Sequence, residues 1–232
     1  MLFKGLLATE MSGSIAGITA SHNRGGQYFR ARAIPVNPTT TRQGVIRGAM
    51  ASLAVRWATT LTQLQRDAWE VYALAVGSTN PLGETRKLTG LNWYVACNTP
   101  RIQAAVILPT VYIDNAPTIF TRADLTPPGI VSATAATEVL SMSFTNTDSW
   151  ATAVGGALLV YCGVPTSPAV SGYKGPYRFS GKIAGAVVPP TSPLPITSAF
   201  PFAVGNRVHT FCRAITADGR ISPFFRATAL GI

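Results

Sequence analysis

The side chains that could carry acid–base or nucleophilic chemistry are few and scattered. The 232-residue chain holds two histidines, His22 and His209, three cysteines, Cys97, Cys162 and Cys212, and nine carboxylates. Nucleophilic catalysis needs a nucleophile, a base and a group that orients the base. His22 lies in a Gly-rich basic stretch, and His209 lies in an alternating stretch beside Arg207 and Phe211, so it reads as a structural strand residue. There is no GxSxG elbow, and GITASHNRGG lacks the Lys-Ser/Thr end that a phosphate loop needs. Asp67 and Glu70 share a helix surface with Arg66, Asp218 precedes Gly219 as a turn former, and Asp148 sits in a polar loop. An odd number of cysteines without CxxC spacing points to neither a disulfide framework nor a zinc site. A Cys162–Cys212 bond requires that their strands adjoin. The expectation is a non-enzymatic protein with no catalytic residue, no metal and no cofactor.

The one concentrated feature is electrostatic. From Arg24 to Arg56 there are six arginines and no acidic residue. Arg24, Arg30, Arg32, Arg42 and Arg47 could meet phosphates, with Tyr28 and Phe29 available to stack on bases. Alternatively the same stretch adds strands to a neighbouring subunit and its guanidinium forks meet carboxylates there. The span fits no helix-turn-helix, zinc-finger or ribonucleoprotein pattern, which favours the second reading. Trp69 falls off the main apolar stripe of its helix, so it is either core or an exposed interface anchor. The candidate partner-binding residues are therefore Arg24, Tyr28, Arg30, Arg32, Arg42, Arg47 and Trp69.

Composition points the same way. Charged residues are only 12% of the chain, about half the usual share, while apolar residues at 47% are ordinary. A surface so weakly charged is poorly defended against association and suits life inside an assembly. The net charge is +10, with fifteen Arg against four Lys. Guanidinium is planar and weakly hydrated, so an Arg-rich balance marks contacts more than solubility. The start MLFKGLLATEMSGS holds too short an apolar run for a secretory signal. The stretch GGALLVYCGV is about half of what a spanning helix requires. A soluble protein of a reducing compartment, with no membrane partner, is expected.

Three textures divide the chain. Residues 1–38 are Gly-rich and basic, an extended arm. Residues 39–108 carry helical signals. Thr40 with Gln43, and Thr62 with Gln65, match the capping box in which a hydroxyl and an amide satisfy free backbone donors. The stripe Val45, Ile46, Ala49, Met50, Leu53, Ala54 and Trp57 predicts a helix over 41–58. Leu64, Ala68, Val71, Tyr72 and Ala75 predict a second over 63–76, stopping at Gly77. Thr89 caps a third, with a break at Thr99–Pro100 because proline is poorly tolerated inside a helix. Residues 109–128 read as an irregular linker. From Gly129 the period becomes two, with strands predicted over 130–135, 139–145, 157–162, 177–184, 194–200, 207–216 and 221–229. The last two are joined by a hairpin at Asp218-Gly219. Seven short strands in residues 129–232 match a sandwich of the immunoglobulin size class. The fold class expected is α+β multidomain: arm, small helical domain and C-terminal immunoglobulin/fibronectin-like antiparallel β-sandwich.

Two resemblances add to this. In VGNRVHTFCRAITADGRIS, residues Gly205, Val208, Cys212, Ala214, Gly219 and Ser222 fall where a fibronectin type III module places Gly, Tyr, Val, Ala, Gly and Ser, with Val208 lacking the usual tyrosine hydroxyl. The first hundred residues resemble structural proteins of tailed bacteriophages, with a "GxIxG...RGxxYxRxRxxPxNPxT" segment, a "W..LT..QR.AW..YA" helix pair and a "LG....LTG...YV..N" segment. Gly17, Arg24, Gly25, Tyr28, Arg30, Arg32, Pro35 and Pro38 carry the first, Trp57, Thr62, Arg66, Trp69 and Tyr72 the second, and Leu82, Gly83, Thr89, Gly90, Tyr94 and Asn98 the third. The resemblance implies a virion structural protein, a capsid-associated minor or decoration protein in a multi-copy assembly, found in the virion and in host cytoplasm during assembly. Its partners would be capsid, portal or tail subunits. A tail or head-to-tail connector, a nucleic-acid-binding protein using the arm, and a glycan-binding module using Tyr173 and Tyr177 are the alternatives.

Overall fold

The computed structural model describes residues 13–23, 26–34, 39–79, 85–103, 112–119 and 125–232. Contacts divide the chain into two compact units, Met1–Thr41 and Arg42–Ile232.

In the first unit three short strands, β1 (Gly13–Ile15), β2 (Ile18–Asn23) and β3 (Gly26–Ala31), form an antiparallel meander. Residues directly opposite share a face. Pairing of Ile15 with Ile18, Ile18 with Ala31, and Ala20 with Phe29 gathers these apolar side chains on one side. Pairing of Ser14 with Thr19, Thr19 with Arg30, and Ser21 with Tyr28 makes the other side polar and basic. The expected extended arm is thus an amphipathic sheet. At one end of the apolar face Ile15 is 77% and Ile18 54% exposed, while Ala20 and Phe29 are half-buried.

The second unit begins with α1 (Thr41–Thr59) and α2 (Gln63–Val76), continues through two-residue strands β4 (Ser78–Thr79) and β5 (Thr85–Arg86), and reaches α3 (Gly90–Gln103). The second capping box forms as expected. Gln65 N–H donates to Thr62 Oγ1 at 3.3 Å while Thr62 N–H donates to Gln65 Oε1 at 2.9 Å, and Gly77 ends the helix at φ 62. Asn92 N–H donates to Thr89 Oγ1 at 3.4 Å at the start of α3. The break expected at Thr99–Pro100 does not occur, since α3 runs through Pro100 to Gln103. Proline costs the helix one N–H and crowds a carbonyl, but tertiary bonds clamp α3 on both sides of it. Asn98 Nδ2 donates to the Ile113 carbonyl at 3.2 Å, and buried Arg101 donates through Nη1 to Thr216 O at 2.8 Å.

The expected face of α2 also needs correction. The helix buries Trp69, Tyr72 and Ala73, whereas Leu64 and Val71 are exposed. Two apolar arcs run along this helix, and the arc holding the large aromatics wins because it removes more surface from water. In α1 the buried residues are Ala49 and Leu53, with Val45 and Met50 left outside.

Strands form in all seven expected places, β6 (Gly129–Thr134), β7 (Val139–Ser143), β8 (Ala157–Gly163), β9 (Tyr177–Ala184), β10 (Leu194–Thr197), β11 (Arg207–Ile215) and β12 (Phe225–Leu230), but β10 stops three residues short of its expected end and β12 starts four residues after its expected beginning. They make two antiparallel sheets, ordered β10-β7-β6 and β12-β11-β8-β9. Leu140, Met142 and Ile196 of the first sheet share a core with Leu158, Val160, Val208 and Cys212 of the second. The hairpin turn closes where expected, with Gly219 N–H donating to Thr216 O and Thr216 N–H to Arg220 O. Cys162 and Cys212 lie on adjoining strands but are displaced by two residues, with Cys162 opposite Thr210, and both remain free thiols.

The helices pack on the outer face of the four-stranded sheet. Leu53, Trp69, Tyr94 and Cys97 form one core with Ala157, Leu159, Ile215 and Ile221. Strand β8 is therefore covered on both faces, which is why ALLVYCG is one apolar run instead of an alternating one. At the end of the sandwich the Trp150 carbonyl is enclosed by two glycines. A Cβ at Gly156 or at Gly185 would lie 2.0 Å from its oxygen. Gly185 N–H donates to Gly156 O at 2.9 Å across the same spot.

Candidate functional site

Of the residues expected to bind a partner, the structure brings three together. Tyr28 and Arg30 share the polar face of the meander, and Arg32, two residues farther along the same alternation, donates its backbone N–H to Gly17 O at 2.8 Å. Arg30 and Arg32 are exposed and Tyr28 is half-buried. Adjacent strand residues point to opposite faces, so Phe29 lies on the apolar side with Ile18 and Ala20. Tyr28 and Phe29 therefore cannot stack on bases from a single surface. Arg24, and the side chain of Arg42, lie outside the described residues. Arg47 is exposed on α1, in the other compact unit.

Trp69 is not an exposed anchor. It is fully buried, its indole N–H donates to the Asp114 carbonyl at 2.9 Å, and its ring meets Tyr72 and Tyr94 edge-on at 5.4 and 5.5 Å. Its place off the Leu64–Val71 stripe is explained by that stripe facing outward.

What sequence reading missed is the role of residues 112–116. They have no regular structure, as expected of a linker, yet they form a strap gripped by all three helices. Arg56 on α1 meets Asp114 with both forks, Nε to Oδ1 at 2.9 Å and Nη2 to Oδ2 at 2.6 Å, and its guanidinium lies 4.6 Å over the Tyr112 ring. The hydrogen bond to Asp114 raises the Arg56 pKa above its ordinary value. Gln65 on α2 donates to Asn115 Oδ1 at 3.0 Å. Asn98 on α3 is fully buried and pairs with both backbone groups of Ile113, accepting from N–H at 2.7 Å and donating to O at 3.2 Å. A lone carboxylate between apolar residues, YIDNA, is the only mark of this in the sequence.

The outer face of the four-stranded sheet beyond the helices carries an aromatic ladder. His209 stacks on Tyr173 at 5.0 Å, Phe211 on Tyr177 at 4.9 Å, and Phe211 on Phe224 at 4.0 Å. His209 behaves as the structural residue expected, buried and 2.9 Å through Nε2 from Thr166 Oγ1. Burial, then the neighbouring charge of Arg207, lowers its pKa. The two tyrosines are not laid open as a sugar platform. Tyr173 OH accepts from Val164 N–H at 3.0 Å and donates to Pro176 O at 2.9 Å, and Tyr177 OH donates to Tyr173 O at 3.1 Å.

Among the described residues no group of three His, Cys, Asp or Glu side chains could hold a metal ion, and no helix is long and apolar enough to cross a membrane. Burial pushes the Cys97 and Cys212 thiols up to about 12, which leaves them inert at neutral pH. No family model, curated protein or solved structure matches the chain.

Proposed function

We propose that this chain is a non-enzymatic structural protein of a bacteriophage virion, a capsid-associated minor or decoration protein that docks on neighbouring subunits through its N-terminal sheet. The observation that carries the reading is the exposure of Ile15 and Ile18 on the apolar side of that sheet. A small sheet draws its stability from burying an apolar face, and one that exposes Ile15 and Ile18 gains stability by having them covered. The outward stripe of α2 and the low charge content of the chain fit the same life in an assembly. The C-terminal sheets, three strands facing four in the orders given above, support a fibronectin type III-like module that projects or bridges.

The test is mass spectrometry of purified particles for the chain and its copy number, together with a chain lacking residues 1–38. The proposal expects the full chain in particles and the truncated chain folded but absent from them. Particles without the full chain would refute it. The common face of Tyr28, Arg30 and Arg32 favours nucleic acid as a second reading. In that case Arg30→Glu with Arg32→Glu abolishes binding to DNA, and affinity falls steeply with salt. Docking by the apolar face is instead lost with Ile18→Glu and is insensitive to salt.

A further inference from the structure

α2 turns to solvent a face that is both apolar and acidic. Leu64, Asp67, Val71 and Leu74 recur at spacings of three, four and three, so they lie on one side of the helix, and the three apolar members are each two-thirds or more exposed. Glu70 flanks the same stripe. Asp114 and Asp218 are taken up by Arg56 and Arg220, whereas Asp67 and Glu70, both exposed, have no ion pair among the described residues. Asp67 accepts from Gln63 Nε2 at 2.7 Å, and Arg66, the cation nearest in sequence, is turned back onto the Trp57 and Ala58 carbonyls.

A face of opposite sign lies at the edge of the four-stranded sheet. Arg226, Thr228 and Leu230 of β12 stand opposite Phe211, His209 and Arg207 of β11, and so share the outward side with them. Phe224, just before β12, joins them by stacking on Phe211 at 4.0 Å. Phe224 and Leu230 are nearly half exposed, and Arg226 and Thr228 are exposed between them. Arg226 lies 5.9 Å from the Phe211 ring centre and makes no ion pair among the described residues, and neither β11 nor β12 contains a carboxylate.

The two faces match in order as well as in sign. Along α2 the charge of Asp67 follows Leu64 by about 4.5 Å and precedes Leu74 by about 10.5 Å, at a helical rise of about 1.5 Å per residue. Along β12 the charge of Arg226 follows Phe224 by about 7 Å and precedes Leu230 by about 13 Å, at about 3.3 Å per residue. Each face reads apolar, charged, apolar, with the charge nearer its N-terminal end. Contact of either face with its own copy about a two-fold axis brings Asp67 and Glu70 together with their copies, or Arg226 with its copy, and like charges repel.

We propose that α2 of one copy lies along β12 of a second copy of this chain, with Leu64 at Phe224, Asp67 at Arg226 and Leu74 at Leu230. Each copy offers both faces, so the contact runs head to tail and repeats from copy to copy. It uses no part of the N-terminal sheet and does not rest on the virion reading, which the particle experiment tests separately.

Sedimentation velocity of the purified full chain measures the contact. A face of three apolar side chains and one ion pair should associate with a Kd of about 10–300 μM, and salt at about 0.5 M should weaken it about two- to fivefold. Asp67→Arg and Arg226→Asp should each weaken it about five- to thirtyfold, since an attraction is lost and a repulsion gained, and the two reversals placed in one chain should restore it. Leu74→Arg and Leu230→Arg should each weaken it about tenfold or more. Mixed in equal amounts, these two leucine variants should form a complex that stops at two copies, because only the α2 face of the Leu230→Arg chain and the β12 face of the Leu74→Arg chain remain. Ile18→Glu should leave the association unchanged. A chain that stays monomeric at about 1 mM, a leucine-variant mixture that stays monomeric, association weakened by Asp67→Arg and untouched by Arg226→Asp, or association lost with Ile18→Glu alone would overturn the proposal. Should a charge reversal not fold, the leucine variants and their mixture decide it.

Discussion

Replacing Asn98 by alanine is expected to loosen the strap at residues 112–116 and to destabilise the helices and sheet together. Asn98 is fully buried and makes three hydrogen bonds, two of them to the N–H and C=O of Ile113. The Tyr94 carbonyl keeps its place within α3, so its loss costs little. The Ile113 groups have no alternative in the helix, and each buried backbone group left unpaired costs about 1–3 kcal/mol. Ile113 is half-buried, so water recovers part of this, and the expected loss is about 2–4 kcal/mol. For a unit of this size that lowers Tm by roughly 5–15 °C. Urea unfolding followed by tryptophan fluorescence and circular dichroism gives the free energy, with the two probes coinciding if the unit unfolds as one. Trp69→Phe removes the neighbouring N–H bond to Asp114 O and should cost about 1–3 kcal/mol alone. Both side chains hold the same strap, so the double variant should lose less than the sum, by about 0.5–2 kcal/mol. A loss under about 0.5 kcal/mol for Asn98→Ala, or strict additivity, would refute the strap as the tie that joins the three helices.

Other expectations rest on single sites. Gly90→Ala would set a Cβ 2.8 Å from Glu70 N and from the Trp69 carbonyl carbon; the forced separation of α2 and α3 should cost about 1–3 kcal/mol in the same unfolding assay. The pKa of His209 is lowered below its ordinary 6.5 on folding, so the unfolded chain takes up its proton first. Its contribution to stability is full above 6.5 and is lost as pH falls through the folded value; His209→Phe should flatten that slope in Tm measured between pH 7.5 and 5. The three cysteines are buried, so a thiol reagent at pH 8 should label them only at the rate of unfolding, and fast labelling of native protein would contradict the packing.

The strands were legible because a half-buried sheet writes its period directly into the sequence, and even the doubly covered β8 stood out as an apolar run. The capping box of Thr62 and Gln65 was legible because it is local. Helix faces were not. α2 carries apolar residues on two arcs, and only the neighbours it meets decide that Trp69 goes in and Leu64 stays out. Pro100 argued correctly for a local cost and wrongly for a break, since Asn98 and Arg101 are held by bonds to distant backbone. The strap failed to register because its importance lies in side chains that reach it from three helices, up to 58 residues away. The arginines of the N-terminal sheet were found by composition, but which face they shared required the register.

Trp150 and its two enclosing glycines say something about descent. At Gly156 and at Gly185 any side chain would strike the same carbonyl oxygen at 2.0 Å, so each position is independently confined to glycine. A surface or strand residue can be exchanged many times over without trace, whereas these two glycines admit almost no alternative. Chains that share this fold should still carry the two glycines, one six residues after the position of Trp150 and one directly after β9, whatever else has changed around them.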